Sequence, residues 1–88
     1  MVIINYQIDG VNNLEIKKAF GEAVREIRIS QGKSQEQLAF DSNLDRTYIS
    51  GVERGIRNIS VVNIQKLAEA FAMSLTELFE RVERQAKR

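Results

Sequence analysis

Residues 34–52 read SQEQLAFDSNLDRTYISGV, and this stretch decides the fold. Ser34 followed by Gln37 has the spacing of a capping box, in which a hydroxyl accepts from a backbone N–H at a helix start. Asp45 is the next natural N-cap. The sequence therefore predicts one helix that begins at Ser34 and ends near Asn43, and another over about 46–54. Two short helices this close are typical of a helix-turn-helix, whose second helix can enter a DNA major groove.

The apolar residues of the second helix determine which of its side chains face outward. Ile49 and Val52 are three positions apart, so both are predicted to anchor the helix to the body of the domain. The outward side chains are then Arg46, Thr47 and Ser50. Arginine can bond to guanine O6 and N7 together, and threonine offers a hydroxyl and a methyl group. These three residues are the predicted base contacts.

Polar residues around the two helix starts are candidates for contacts with the DNA backbone. Helix N-termini carry free N–H groups and a positive dipole end, which attract phosphates. The predicted backbone contacts near these starts are Lys33, Ser34, Gln35, Gln37 and Tyr48. Arg57 and Asn58, in the polar loop after Gly55, are predicted to flank the groove as two further backbone contacts. Gly51 has no side chain and is expected to let DNA approach closely. Taken singly, Arg46 is more simply explained as a solvated surface charge, and Gln35 and Tyr48 fit an ordinary surface as well as they fit a DNA contact.

Apolar residues at helical spacing predict three further helices. The first covers about 14–31 and ends at Gly32, which can adopt a left-handed conformation. The other two begin at the N-caps Ser60 and Ser74. The last helix is expected to end near 83. The fold class is therefore all-α, with five helices in one compact domain.

The ends of the chain differ from this central domain of residues 14–83. Residues 1–13 are predicted to be an extension, either a short strand, an arm or a disordered tail. Residues 84–88 are predicted to be a basic tail, more simply explained as a solvated end than as a DNA-binding arm.

The composition excludes several classes of protein. The 88 residues carry a net charge of +1 and include no Cys and no His, so neither a disulfide framework nor a thiolate zinc site can form. No nucleophile–base pair or metal cluster is visible, and we expect no enzyme, no cofactor and no small-molecule ligand. The apolar runs are too short to span a bilayer, and the N-terminus lacks the basic region of a signal peptide, which predicts a cytoplasmic protein without a membrane partner. The net charge is silent about nucleic acid.

Residues 20–79 resemble the Xre family of helix-turn-helix regulators, which includes phage lambda-type repressors. The matching segments are FGEAVREIRISQGKSQEQLA (20–39), LDRTYISGVERGIRNIS (44–60) and IQKLAEAFAMSLTELF (64–79). Within the family, NLDRTYISGVERGIRN (43–58) looks most like the controller proteins of bacterial restriction–modification systems. A phage or plasmid repressor, or an antitoxin-type interaction module that also binds DNA, is the alternative interpretation.

The resemblance implies a homodimer that binds double-stranded DNA at a palindromic operator. It also implies a structural ion pair between Arg28 and Glu53, which would explain a glutamate on the inward face of the second short helix. RNA polymerase is a further candidate partner of such a regulator. The chain departs from the family pattern at four positions, where it has Lys33 for an apolar residue, Asn43 for glycine, Ile59 for proline and Ala72 for glycine.

The last helix is the predicted dimer interface. It carries more apolar residues than packing on one small core requires, and the expected contacts are Met73, Leu75, Leu78, Phe79 and Val82. The alternative is that all of them belong to the core of a single chain.

Overall fold

The computed structural model describes residues 13–87, which form five α-helices in the predicted order. They are α1 (Asn13–Ser30), α2 (Gln35–Ser42), α3 (Arg46–Glu53), α4 (Val61–Ala70) and α5 (Leu75–Ala86). The all-α fold class is therefore confirmed. The predicted extension lies outside the described residues except for Asn13, which begins α1.

Polar N-caps start four of these helices where the sequence predicted. The side chains of Ser34, Asp45, Ser60 and Ser74 each accept a hydrogen bond from a backbone N–H in the first turn that follows. Ser74 and Glu77 form a complete, reciprocal capping box. Only half of the box predicted at Ser34 forms, because the Gln37 amide donates to Asp41 Oδ1 at 2.8 Å instead of reaching back.

The last helix is longer than the sequence predicted, and this corrects the predicted boundary between the domain and a basic tail. α5 continues to Ala86 rather than ending near 83. Gln85 Nε2 donates to Glu26 Oε1 of α1 at 2.9 Å, and Ala86 packs against the core. These contacts join the end of α5 to α1, so most of the predicted tail belongs to the folded domain.

Each of the four inter-helix turns contains a left-handed residue, which is glycine in two of them (Gly32 and Gly55) and a residue with a side chain in the other two. Asn43 has a φ of 58°, as expected of the residue that reverses the chain between α2 and α3. Ala72, between α4 and α5, also has a φ of 58°. A residue with a Cβ costs roughly 1–2 kcal/mol in this conformation. Ala72 therefore holds a strained position where the resembling family commonly has glycine.

The core lies where α1 packs against α3 and α5, while α2 packs against α3 and α4. Its largest fully buried side chains are Val24, Ile27, Leu38, Ile49, Val52, Leu67, Phe71, Leu78 and Val82. Gly21 lets α1 approach α3 closely, because a Cβ at this position would collide with Val52 O and Glu53 O. Within residues 13–87, no helix is both long enough and apolar enough to cross a membrane.

The predicted dimer interface on α5 needs correction at two of its residues. Leu78 and Val82 have exposed fractions of 0% and 1%, so both belong to the core of the single chain. Leu75 and Phe79 are each 40% exposed, and Met73 is partly buried. The ring of Phe79 also lies 6.1 Å, centroid to centroid, from that of Phe20. A helical apolar pattern cannot separate residues that fill the core from their neighbours at its edge.

Candidate nucleic-acid interface

The N-terminal half of α3 presents the predicted base contacts on the protein surface. Ile49 and Val52 are buried against the body of the domain, with exposed fractions of 0% and 2%. Arg46 and Thr47 are exposed, and Ser50 is half-buried beside them. The rotation of α3 predicted from its apolar residues is thus the rotation that the structure has.

Arg46 is held by the first residue of α2. Its Nη1 donates to Gln35 Oε1 at 3.3 Å, and Gln35 Nε2 donates to Glu53 Oε1 at 3.0 Å. A carboxylate accepts hydrogen bonds and donates none, so the side-chain amide of Gln35 must turn its nitrogen toward Glu53. The amide oxygen therefore faces Arg46. Gln35, predicted as a backbone contact, also connects the arginine on the surface to a carboxylate inside.

The ion pair between Arg28 and Glu53 is present. Arg28 Nε lies 2.6 Å from Glu53 Oε2, and Arg28 Nη2 donates to Glu53 Oε1 at 3.0 Å. The two side chains are only 11% and 3% exposed, and the hydrogen bond to Glu53 raises the pKa of Arg28. A third bond runs from Arg28 Nη1 to Lys33 O at 2.9 Å. The pair thus joins α1, α3 and the turn between α1 and α2.

Two other predicted backbone contacts have bonds within the protein. Lys33 Nζ donates to Ala70 O at 2.7 Å and lies 3.0 Å from Asp41 Oδ2, while Gln37 donates to Asp41. The hydrogen bonds from Lys33 and Gln37 lower the pKa of the Asp41 carboxyl group in the folded protein. The stability that they contribute is therefore present above the pKa of Asp41 in the unfolded chain, and it is lost as the pH falls through its lower pKa in the folded protein. Lys33 therefore ties α2 to the end of α4, a role that sequence reasoning missed.

The start of α2 and the start of α3 share one surface. Ser34, Gln35, Glu36 and Arg46 line a single open groove together with Arg28. Both helix N-termini therefore lie close to the side chains predicted to contact bases and phosphates.

Arg57 of the loop after α3 lies against the same helix, while Asn58 beside it is exposed. The Arg57 Cζ atom is 5.1 Å from the centre of the Tyr48 ring. The Tyr48 hydroxyl accepts a hydrogen bond from Asn63 Nδ2 of α4 at 3.2 Å. Gly51 is buried beneath Arg57, so the expectation that it leaves room for DNA is wrong: it leaves room for an arginine.

A five-helix domain whose third helix presents this polar surface belongs to the class of helix-turn-helix proteins. Residues 24–78 match the helix-turn-helix family, and the chain is a member of it. This is a family of DNA-binding regulators and not of enzymes.

Several relatives are control proteins. The chain is 47% identical over 66 residues to control protein C.BamHI of Bacillus amyloliquefaciens, an alignment that covers 74% of this chain and 82% of that protein. It is 39% identical over 72 residues to control protein C.MunI of a Mycoplasma species, with 81% of this chain and 97% of that protein covered.

Solved structures of controller proteins have the same fold. The restriction–modification controller protein C.AhdI from Aeromonas hydrophila is 56% identical and has a TM-score of 0.70, with 72% of this chain and 96% of that one covered. The C.Esp1396I tetramer in complex with its natural 35 base-pair operator is 33% identical, with a TM-score of 0.78 and coverage of 83% and 96%. Mutants of C.Esp1396I have been solved at three consecutive residues, an arginine, a threonine and a tyrosine. In the present sequence Arg-Thr-Tyr occurs once, at 46–48.

Proposed function

We propose that this protein is a sequence-specific transcriptional regulator, the controller of a restriction–modification system, which binds a palindromic operator as a homodimer. The observation that carries the proposal is the exposed Arg46–Thr47 surface of α3, fixed against α2 through Gln35. The identity to several control proteins supports the controller role. Such a regulator acts in the cytoplasm at the nucleoid, and RNA polymerase is its candidate partner at a promoter.

The proposed contacts divide into two groups. Arg46, Thr47 and Ser50 read base edges in the major groove, as their chemistry allows. Backbone contacts come from the groove beside them and from the loop after α3, and they comprise Lys33, Ser34, Gln35, Gln37, Arg57 and Asn58. Phosphate contacts set the register on the duplex, and the base contacts then supply the specificity.

Arg46 provides the test of base reading. Replacing it with alanine is expected to weaken operator binding by about 1–3 kcal/mol per half-site, because a bidentate contact to guanine is lost. Binding to random DNA should weaken much less. The measurement is a gel-shift competition between a selected operator and random duplex.

Arg25→Ala is the matched control, since it removes the same charge from an exposed position of α1. Equal loss on both DNAs would refute base reading by Arg46.

The proposed dimer uses the exposed part of the predicted interface. One small module buries only about 600–1,000 Å² on DNA, whereas two copies read half-sites about 34–36 Å apart. The remaining residues of the predicted interface are Met73, in the turn before α5, and Leu75 and Phe79 of α5, which are each 40% exposed. We place the dimer contact on this surface.

Leu75→Glu is expected to give monomers that bind the operator poorly. Leu75 is the first residue of α5, where a negative charge interacts favourably with the positive end of the helix dipole. The Leu75→Glu variant should therefore stay folded. Phe79→Asp should act in the same direction, although the Phe79 ring also packs near Phe20. Sedimentation velocity measures the oligomeric state. Val61→Glu is the matched control, because Val61 is the first residue of α4 behind a serine cap and is 76% exposed. If the Leu75→Glu variant remained a dimer, the dimer interface could not be at this surface of α5.

A further inference from the structure

Arg57 is an exposed arginine whose position is restricted by α3. Its guanidinium carbon lies 5.1 Å from the centre of the Tyr48 ring, within the range of a cation–π contact. Arginine has a long, flexible side chain, so an arginine held against the protein loses less entropy when it binds a phosphate than a free one does. The contact with the ring face also leaves N–H donors in the guanidinium plane for phosphate oxygens.

Tyr48 itself is fixed from two sides. Its backbone belongs to α3, and its hydroxyl accepts from Asn63 Nδ2 at 3.2 Å. Asn63 lies in the first turn of α4, where its backbone N–H donates to Ser60 Oγ at 3.1 Å. The phenol ring is thus held between α3 and α4, and its hydroxyl group has a protein partner.

Gly51 completes the support for Arg57. It lies three residues after Tyr48, which places the two on one side of α3. A Cβ at Gly51 would be 3.0 Å from Arg57 Cγ and 3.0 Å from Arg57 Nε. The aliphatic part of the Arg57 side chain therefore crosses α3 over Gly51, the only glycine of this helix, and its guanidinium group reaches the Tyr48 ring.

We propose that Tyr48, Asn63 and Gly51 form a positioning device that presents Arg57 to the DNA backbone. Tyr48 is in this proposal a positioning residue and not, as its sequence position predicted, a phosphate contact of its own. The proposal rests on the proposed function, since it requires that the α3 surface binds DNA. It adds a role for three residues outside the predicted set of base contacts.

A double-mutant cycle on operator binding tests the proposal. The variants are Tyr48→Leu, Arg57→Gln and the combination of both, compared on an operator selected from a random DNA pool. Tyr48→Leu should weaken binding by about 5- to 30-fold for a dimer with two copies of the contact. In the Arg57→Gln background the same change should have no effect, because the residue that Tyr48 positions has lost its charge. In the Arg57 background, Tyr48→Phe keeps the ring but loses the hydroxyl that Asn63 holds, so its affinity should lie between those of the wild type and Tyr48→Leu.

Salt dependence identifies what Arg57 contacts. If each Arg57 neutralises one phosphate, Arg57→Gln should reduce the slope of log K against log salt concentration by about 0.9 per protomer. An unchanged slope would overturn the phosphate role.

Thermal melting of each variant by circular dichroism confirms that the proteins are folded at the temperature of the binding assay. Tyr48→Leu retains apolar bulk at a residue packed on the core, and Gly51→Ala is a second variant that disturbs Arg57 without touching the ring.

The outcomes separate this proposal from the proposed function. Equal losses for Tyr48→Leu in both backgrounds would mean that Tyr48 contacts DNA itself, which overturns the positioning role while the regulator remains. If the wild-type protein selects no sequence from the pool, the proposed function fails first. A loss that appears only when Arg57 is present supports the positioning device.

Discussion

Replacing Glu53 with alanine is expected to lower the free energy of unfolding by about 3–5 kcal/mol, because one charge of a buried pair is left without its partner. Arg28 would lose its bonds of 2.6 and 3.0 Å to the carboxylate while its side chain stays only 11% exposed. Gln35 would lose its acceptor as well. Single domains are stable by only about 5–15 kcal/mol, so this one change removes a large share.

Urea unfolding followed by circular dichroism measures the effect. Glu36→Ala is the matched control, because Glu36 is an exposed carboxylate on α2. The double variant Arg28→Met with Glu53→Leu should recover most of the loss, since neither charge then remains buried alone. If Glu53→Ala were as stable as the Glu36 control, the pair would contribute nothing to the fold.

The helix starts could be predicted from the sequence because their causes are local. Each N-cap accepts from a backbone N–H no more than three residues away, so a serine or aspartate before an apolar pattern is sufficient. The end of α5 could not be predicted in this way. Its last turn depends on the bond between Gln85 and Glu26, which are 59 residues apart in the sequence.

The same distinction applies to the candidate site. The outward direction of Arg46 and Thr47 follows from Ile49 and Val52 on their own helix. The partners of Lys33, by contrast, are set by how α2 lies against the end of α4. On α5, neighbouring apolar residues divide between the core and the surface, and only the packing of five helices shows which is which.

Gly21→Ala should destabilise the protein by about 3 kcal/mol, at the upper end of the range for overpacking. Helix propensity alone predicts the opposite sign, since alanine is favoured over glycine in a helix by about 1 kcal/mol. A Cβ at Gly21, however, meets the backbone oxygen of Val52 and lies 2.8 Å from that of Glu53. Backbone atoms cannot rotate away as a side chain can, so α3 must move off α1.

Comparison with a second glycine separates this steric effect from backbone strain. Gly32 has a φ of 71°, and a Cβ there would meet nothing within 4 Å. Gly32→Ala should therefore cost only the roughly 1–2 kcal/mol of a left-handed residue. Thermal and urea unfolding of both variants give the comparison, and a Gly21→Ala protein as stable as wild type would contradict the close approach of α1 and α3. Because α3 carries Arg46 and Thr47, its displacement should also weaken operator binding below the melting temperature, whereas Gly32→Ala should bind normally.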